Sequence, residues 1–184
     1  MERGSYIQIA DGNIFDPLNP DPDLLTIEVI ARALSNQCRF TGHVSEFYSV
    51  AEHSVHVSRI VPQRLAKRAL LHDGSEFAIS DLSSPLKNET EMGTLYREVE
   101  MPLQELIERK FGVYDGPMPE EIKRADEAMR EVERLTLLPR TPEGDELWAE
   151  WPADTSIVPA SCTPGCWAPD YAYAKFLERW EEVR

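Results

Sequence analysis

Apolar residues return every three to four positions along most of this chain, a spacing that predicts helices. Ile27, Ile30, Ala31, Leu34 and Cys38 share one face of a first helix, running from about Asp23 to near Arg39. Ser49-Val50-Ala51-Glu52 has the form of a capping box and starts a second helix. Its stripe is Val50, His53, Val57 and Ile60. Pro62 opens a third helix in its first turn, with Leu65, Ala69, His72 and Glu76 in line. Ser83-Ser84-Pro85 then breaks the chain. From about Glu89 to Phe111 a longer helix turns Leu95, Val99, Leu103, Leu106 and Ile107 inward; Pro102 should kink it, and Gly112 suits its C′ position.

A fifth helix follows Pro117-Met118-Pro119, with an acidic first turn and Ile122, Ala125, Asp126, Met129 and Val132 inward. Asp170 is expected to cap a last helix carrying Tyr173, Phe176, Leu177 and Trp180. Strand-like alternation occurs at Tyr6-Ile7-Gln8-Ile9, where Asp11-Gly12 and Asn13-Ile14-Phe15 complete a short hairpin. Residues 139–169 are rich in proline and irregular. The expected fold is therefore mainly α: one domain over 1–184, with a helical core at 23–137 and a C-terminal extension at 138–184.

A chain of 184 residues is long enough to bury a core of its own. Its net charge of −14 disfavours duplex DNA, RNA or an anionic membrane as partner, while leaving room for a small phosphorylated substrate held by a local group of cations. No apolar run approaches the roughly 20 residues of a membrane span, and no signal-peptide pattern opens the sequence. Three cysteines suit a reducing compartment, so the expected location is the cytoplasm.

Chemistry concentrates on three helices that carry polar groups where apolar ones belong: His53, His72-Asp73 with Glu76, and Asp126. Buried carboxylates cost several kcal/mol unless paired or bound to a cation, and one divalent ion held by two imidazoles and two carboxylates satisfies all four groups. Any one of them alone is more often structural; the joint pattern points to a metal. Glu76, four residues after His72, is placed to donate a proton or position a water, or is an ordinary solvated glutamate; Asp81 follows where the helix should end and could equally cap the next turn. Arg39, Lys87 and Lys123 are individually ordinary surface charges that together can neutralise a phosphoryl group. Cys162-Thr-Pro-Gly-Cys166 has no second Cys/His pair to complete a zinc knuckle.

The order His53, His72-Asp73, Asp126 on successive helices resembles the HD-domain superfamily of metal-dependent phosphohydrolases. The tracts from Leu34 to His43, Phe47 to His53 and Leu71 to Lys87 look like its small single-domain nucleotidase branch, which includes phage and prophage members. The resemblance covers residues 27 to about 137. It implies His53, His72, Asp73 and Asp126 as ligands of one divalent metal (Mn, Co, Zn, Fe or Mg). It further implies Glu76 as proton donor to the leaving group and Asp81 as the group that orients the attacking water. Arg39, Lys87 and Lys123 would hold phosphate, with Phe40 where related enzymes commonly have tryptophan. The implied reaction is hydrolysis of a 2′-deoxynucleotide at the α-phosphorus, with a monophosphate favoured. A dNTP triphosphohydrolase releasing triphosphate is the alternative, and a non-catalytic nucleotide-binding regulator is the reading from another class. The resemblance also implies a homo-oligomer, a dimer or larger.

Overall fold

Phe15 shows how the N-terminal hairpin is tied to the rest of the molecule. In the computed structural model, which describes residues 6–184, Ile7–Gln8 (β1) pairs antiparallel with Ile14–Phe15 (β2). Phe15 is fully buried, its ring 5.1 Å from that of Phe77 in an edge-to-face contact. Nine α-helices follow among the described residues: α1 Ile27–Asn36, α2 Val50–Ile60, α3 Gln63–Leu70, α4 Glu76–Ile79, α5 Ser84–Glu89, α6 Glu91–Lys110, α7 Glu120–Leu137, α8 Pro142–Trp148 and α9 Pro169–Glu182. The architecture is mainly α, as the periodicity predicts.

The first helix is shorter than its apolar stripe suggests. Thr26 takes the N-cap, its hydroxyl accepting from the Val29 amide at 3.2 Å, and a separate 3₁₀ turn occupies Pro22–Leu24. At the other end the chain leaves α1 after Asn36. Cys38 forms an antiparallel bridge with Ser49, and the Arg39 amide donates to the Tyr48 carbonyl at 2.9 Å. Pairing across this 38–49 loop wins over continued helix and sets Arg39 at the mouth of α2.

Helix α2 is the hub. Every residue from Val50 to Ser58 is buried, and α1, α3, α7 and α9 all pack on it. Such enclosure requires every polar group to find a partner. Ser49 caps the helix as expected, accepting from the Glu52 amide at 3.1 Å. Glu52 does not close the capping box. Its fully buried carboxylate accepts instead from the amides of Gly165 at 2.5 Å and Trp167 at 2.7 Å.

Helix α3 ends at Leu70, so His72 and Asp73 lie in a turn and Glu76 opens α4. This corrects the single helical face drawn from Leu65 to Glu76. Gln104 of α6 holds the turn from both sides, accepting from the Ser75 amide at 3.0 Å and donating to the Leu71 carbonyl at 2.8 Å. Helix α6 runs unbroken through Pro102, which faces solvent as does Glu98, whose carbonyl the proline leaves unbonded. Leu103 and Ile107 are buried, but Leu95 is 64% exposed. Its half of the helix is covered on another side, where α5 packs against Gly93.

The core continues beyond residue 137. Helix α9 packs on α1, α2 and α3 and buries Ala172, Phe176 and Trp180. Ala168, not Asp170, occupies its N-cap; Asp170 in the first turn forms an ion pair with Arg32 at 2.6 Å. No helix among the described residues is long and apolar enough to cross a membrane.

Candidate metal centre

The fold brings four of the sequence-derived residues together. His53 comes from the buried hub α2, His72 and Asp73 from the turn after α3, and Asp126 from the second turn of α7. His53, His72 and Asp73 each offer a ligand atom within 4.8 Å of the other two. The two Nε2 atoms are 3.3 Å apart, and Asp73 Oδ2 lies 3.3 Å from His72 Nε2 and 3.8 Å from His53 Nε2. Asp126 Oδ1 lies 3.0 Å from His53 Nε2 and 3.9 Å from His72 Nε2. Two nitrogens bound at about 2.1 Å and at right angles to one ion sit about 3 Å apart, so the imidazole spacing fits a shared cation.

Hydrogen bonds on the far side of each ring set the tautomers. His72 Nδ1 faces the Ala69 carbonyl at 2.8 Å; a carbonyl only accepts, so the proton is on Nδ1 and Nε2 presents a lone pair. His53 Nδ1 donates to Glu133 Oε1 at 2.5 Å. Glu133 is fully buried and also accepts from Arg39 Nε at 3.0 Å. Against the cost of burial, Arg39 and His53 hold its carboxyl below the usual range. Two Nε2 atoms and the Asp73 carboxylate thus share one space, and Asp126 approaches it through His53. The donors fit a divalent ion with mixed nitrogen and oxygen ligands.

Electrostatics agree. Burial and the nearby Arg39 charge oppose a proton on His53, yet Glu133 and Asp126 outweigh them and lift the imidazole to about 9. The hydrogen bond and charge of His53 hold Asp126 well below the ordinary carboxylate range despite the cost of desolvation. The cluster draws positive charge to the point where its donors converge.

Other predicted residues surround this point. Arg39 NH1 is 3.6 Å from Asp73 Oδ2, and its guanidinium carbon is 5.7 Å from the centre of the Phe40 ring. Burial, then the charges of Asp73 and Asp81, push the Glu76 carboxyl well above its usual value; its Oε2 is buried without a protein partner. Asp81 lies in the exposed turn after α4, close enough for the charges of Arg39, Asp73 and Lys87 to act on it. Lys87 Nζ pairs with Glu100 Oε1 at 2.6 Å. Lys123 does not converge with the rest: it is 55% exposed and sits 3.6 Å from Glu120.

His72, Asp73 and Lys87 also line a cleft of about 830 Å³ that continues along α6 past Met101 and Leu106 to Tyr114 and Met118. Glu133 escaped the sequence reading. It lies seven residues after Asp126, two turns along the same face of α7, and that spacing was its available signal.

The chain is 36% identical over 185 residues to a protein of Escherichia coli (strain K12) named "Uncharacterized protein YfdR", covering 97% of this chain and 96% of that one. The chain belongs to the YfdR family. A second member, "Uncharacterized protein RCAP_rcc00048" of Rhodobacter capsulatus, is 31% identical over 145 residues, 72% of each chain. No family model matches.

Proposed function

We propose that this YfdR-family protein is a metal-dependent phosphohydrolase of 2′-deoxynucleotides, acting as a 5′-deoxynucleotidase on monophosphates. The observation that carries the reading is the convergence of the His53 and His72 Nε2 atoms with Asp73 and Asp126, both rings being fixed through Nδ1. His53, His72, Asp73 and Asp126 would hold the ion, which when bound supplies a Lewis acid toward phosphoryl oxygens and lowers the pKa of water.

The chain's own residues divide the remaining work. Arg39 bears the phosphate charge on one side and Lys87 on the other. Glu76, kept protonated by its buried setting, donates to the departing 5′ oxygen, and Asp81 orients water toward phosphorus. Lys123, paired with Glu120 away from the centre, is given no part in the reaction. The monophosphate is favoured because the cleft's further cations are already matched: Arg109 by Glu105 and Arg68 by Glu108. A triphosphate tail would meet acids without free cations to balance it.

The test is an incubation of dNMPs and dNTPs, side by side, with protein stripped by chelator and then reloaded with Mn, Co, Fe, Zn or Mg. Deoxynucleoside and phosphate should form from dNMP in loaded samples alone. A His72→Ala, Asp73→Ala pair should lose metal and activity while keeping its helical circular dichroism. Triphosphate released from dNTP would move the reading to the alternative hydrolase. No product from any nucleotide would end it.

A further inference from the structure

The segment from Glu76 to Lys87 carries three of the residues assigned to hydrolysis, yet only four of its residues, Glu76–Ile79, form a helix before it turns. At the turn stands Ser80, with φ +62° and ψ 166°. That backbone region is essentially restricted to glycine, because a Cβ there crowds the neighbouring carbonyls. Ser80 directly precedes Asp81 and follows Glu76 by four residues. The strained conformation therefore decides where Asp81 points relative to Glu76 in the helix before it. Something outside the segment must hold it.

Helix α6 supplies the hold. The Tyr96 hydroxyl donates to the Ser80 carbonyl at 2.5 Å. One turn on either side of Tyr96, the same helix secures Lys87: Glu100 pairs with its ammonium at 2.6 Å, and a Cβ on Gly93 would come within 1.9 Å of its carbonyl. Arg97 also donates to the Lys87 carbonyl at 2.5 Å, and Lys87 Nζ lies 5.4 Å from the centre of the Tyr96 ring. Tyr96 thus stands where the two carboxylates and the phosphate-facing lysine are brought into one frame.

We infer that Tyr96 is a positioning residue, whose hydroxyl keeps Ser80 in its positive-φ conformation and thereby aims Asp81 at the reacting centre beside Glu76. The inference rests on the hydrolase reading above. Without the hydroxyl, Ser80 relaxes to negative φ and swings Asp81 away. A glycine at position 80 has no Cβ to crowd the turn, so it adopts the required conformation without help.

The experiment compares wild type, Tyr96→Phe, Ser80→Gly and the double variant as full-length, metal-loaded protein on dNMP. Tyr96→Phe should lower kcat about 10- to 100-fold, the scale of a catalytic group displaced by about 1 Å, with KM and melting temperature little changed. Ser80→Gly alone should stay near wild type. In the double variant kcat should recover at least half of the lost decades. Hydrogen exchange of metal-free protein gives a readout independent of turnover: amides around residues 80–83 should exchange faster in Tyr96→Phe and regain protection in the double variant. Unchanged kcat in Tyr96→Phe, or a loss that Ser80→Gly does not restore, overturns the inference. Should wild type hydrolyse nothing, the hydrolase reading falls, and exchange alone decides whether Tyr96 holds the turn.

Discussion

Glu133 does more for the centre than its distance from the lone pairs suggests. It fixes the tautomer of His53 and, through the Arg39 Nε contact, holds the Arg39 guanidinium beside Asp73. Partners of this kind typically set metal affinity by 10- to 100-fold. Glu133→Gln keeps the shape but weakens the acceptor and leaves Arg39 with less charge to face. Metal affinity, measured by competition with a chromophoric chelator, should fall by about 10- to 100-fold. Equal affinity in the variant would show that His53 does not depend on this support. Glu133 was legible only in hindsight, because a glutamate two turns beyond Asp126 reads equally well as surface.

Among the elements, α6 matters as a frame. Its buried end holds the His72-Asp73 turn through Gln104, and its other half clamps α5. The absence of a side chain at Gly93 permits that clamp. A Cβ there would meet the Lys87 carbonyl at 1.9 Å, and backbone cannot yield as a flexible side chain would. Gly93→Ala should lose about 1–3 kcal/mol in urea unfolding, the usual range for overpacking, and should raise KM for nucleotide as Lys87 is displaced. A variant with unchanged stability and KM would mean that α5 relocates freely. The apolar period located α6 but oriented its first half wrongly. Leu95 was drawn inward by spacing, whereas the close approach of α5 at Gly93 turned it to solvent.

For the whole molecule, the C-terminal part is a wall of the core that supports the centre. Glu52, adjacent to His53, is held by the amides of Gly165 and Trp167, and Phe176 is fully buried on α9. Phe176→Ala should cost about 3–5 kcal/mol, read from the urea midpoint. The folded fraction should still bind metal with unchanged affinity, since no ligand comes from α9. A cost below about 1 kcal/mol would show that α9 is dispensable, contrary to ordinary core packing.

The mainly α class, the six longest helices, the N-terminal hairpin and the candidacy of His53, His72 and Asp73 as a metal-holding group followed from the sequence alone. Apolar period is a local property, and ionisable groups on apolar stripes are conspicuous. The break between α3 and α4, the strained Ser80, the pairing of Glu52 with the distant 165–167 segment and the role of Glu133 came only with the tertiary structure. Each depends on which segments meet in the fold, and contacts between residues 16 to 115 positions apart leave no mark in a local pattern.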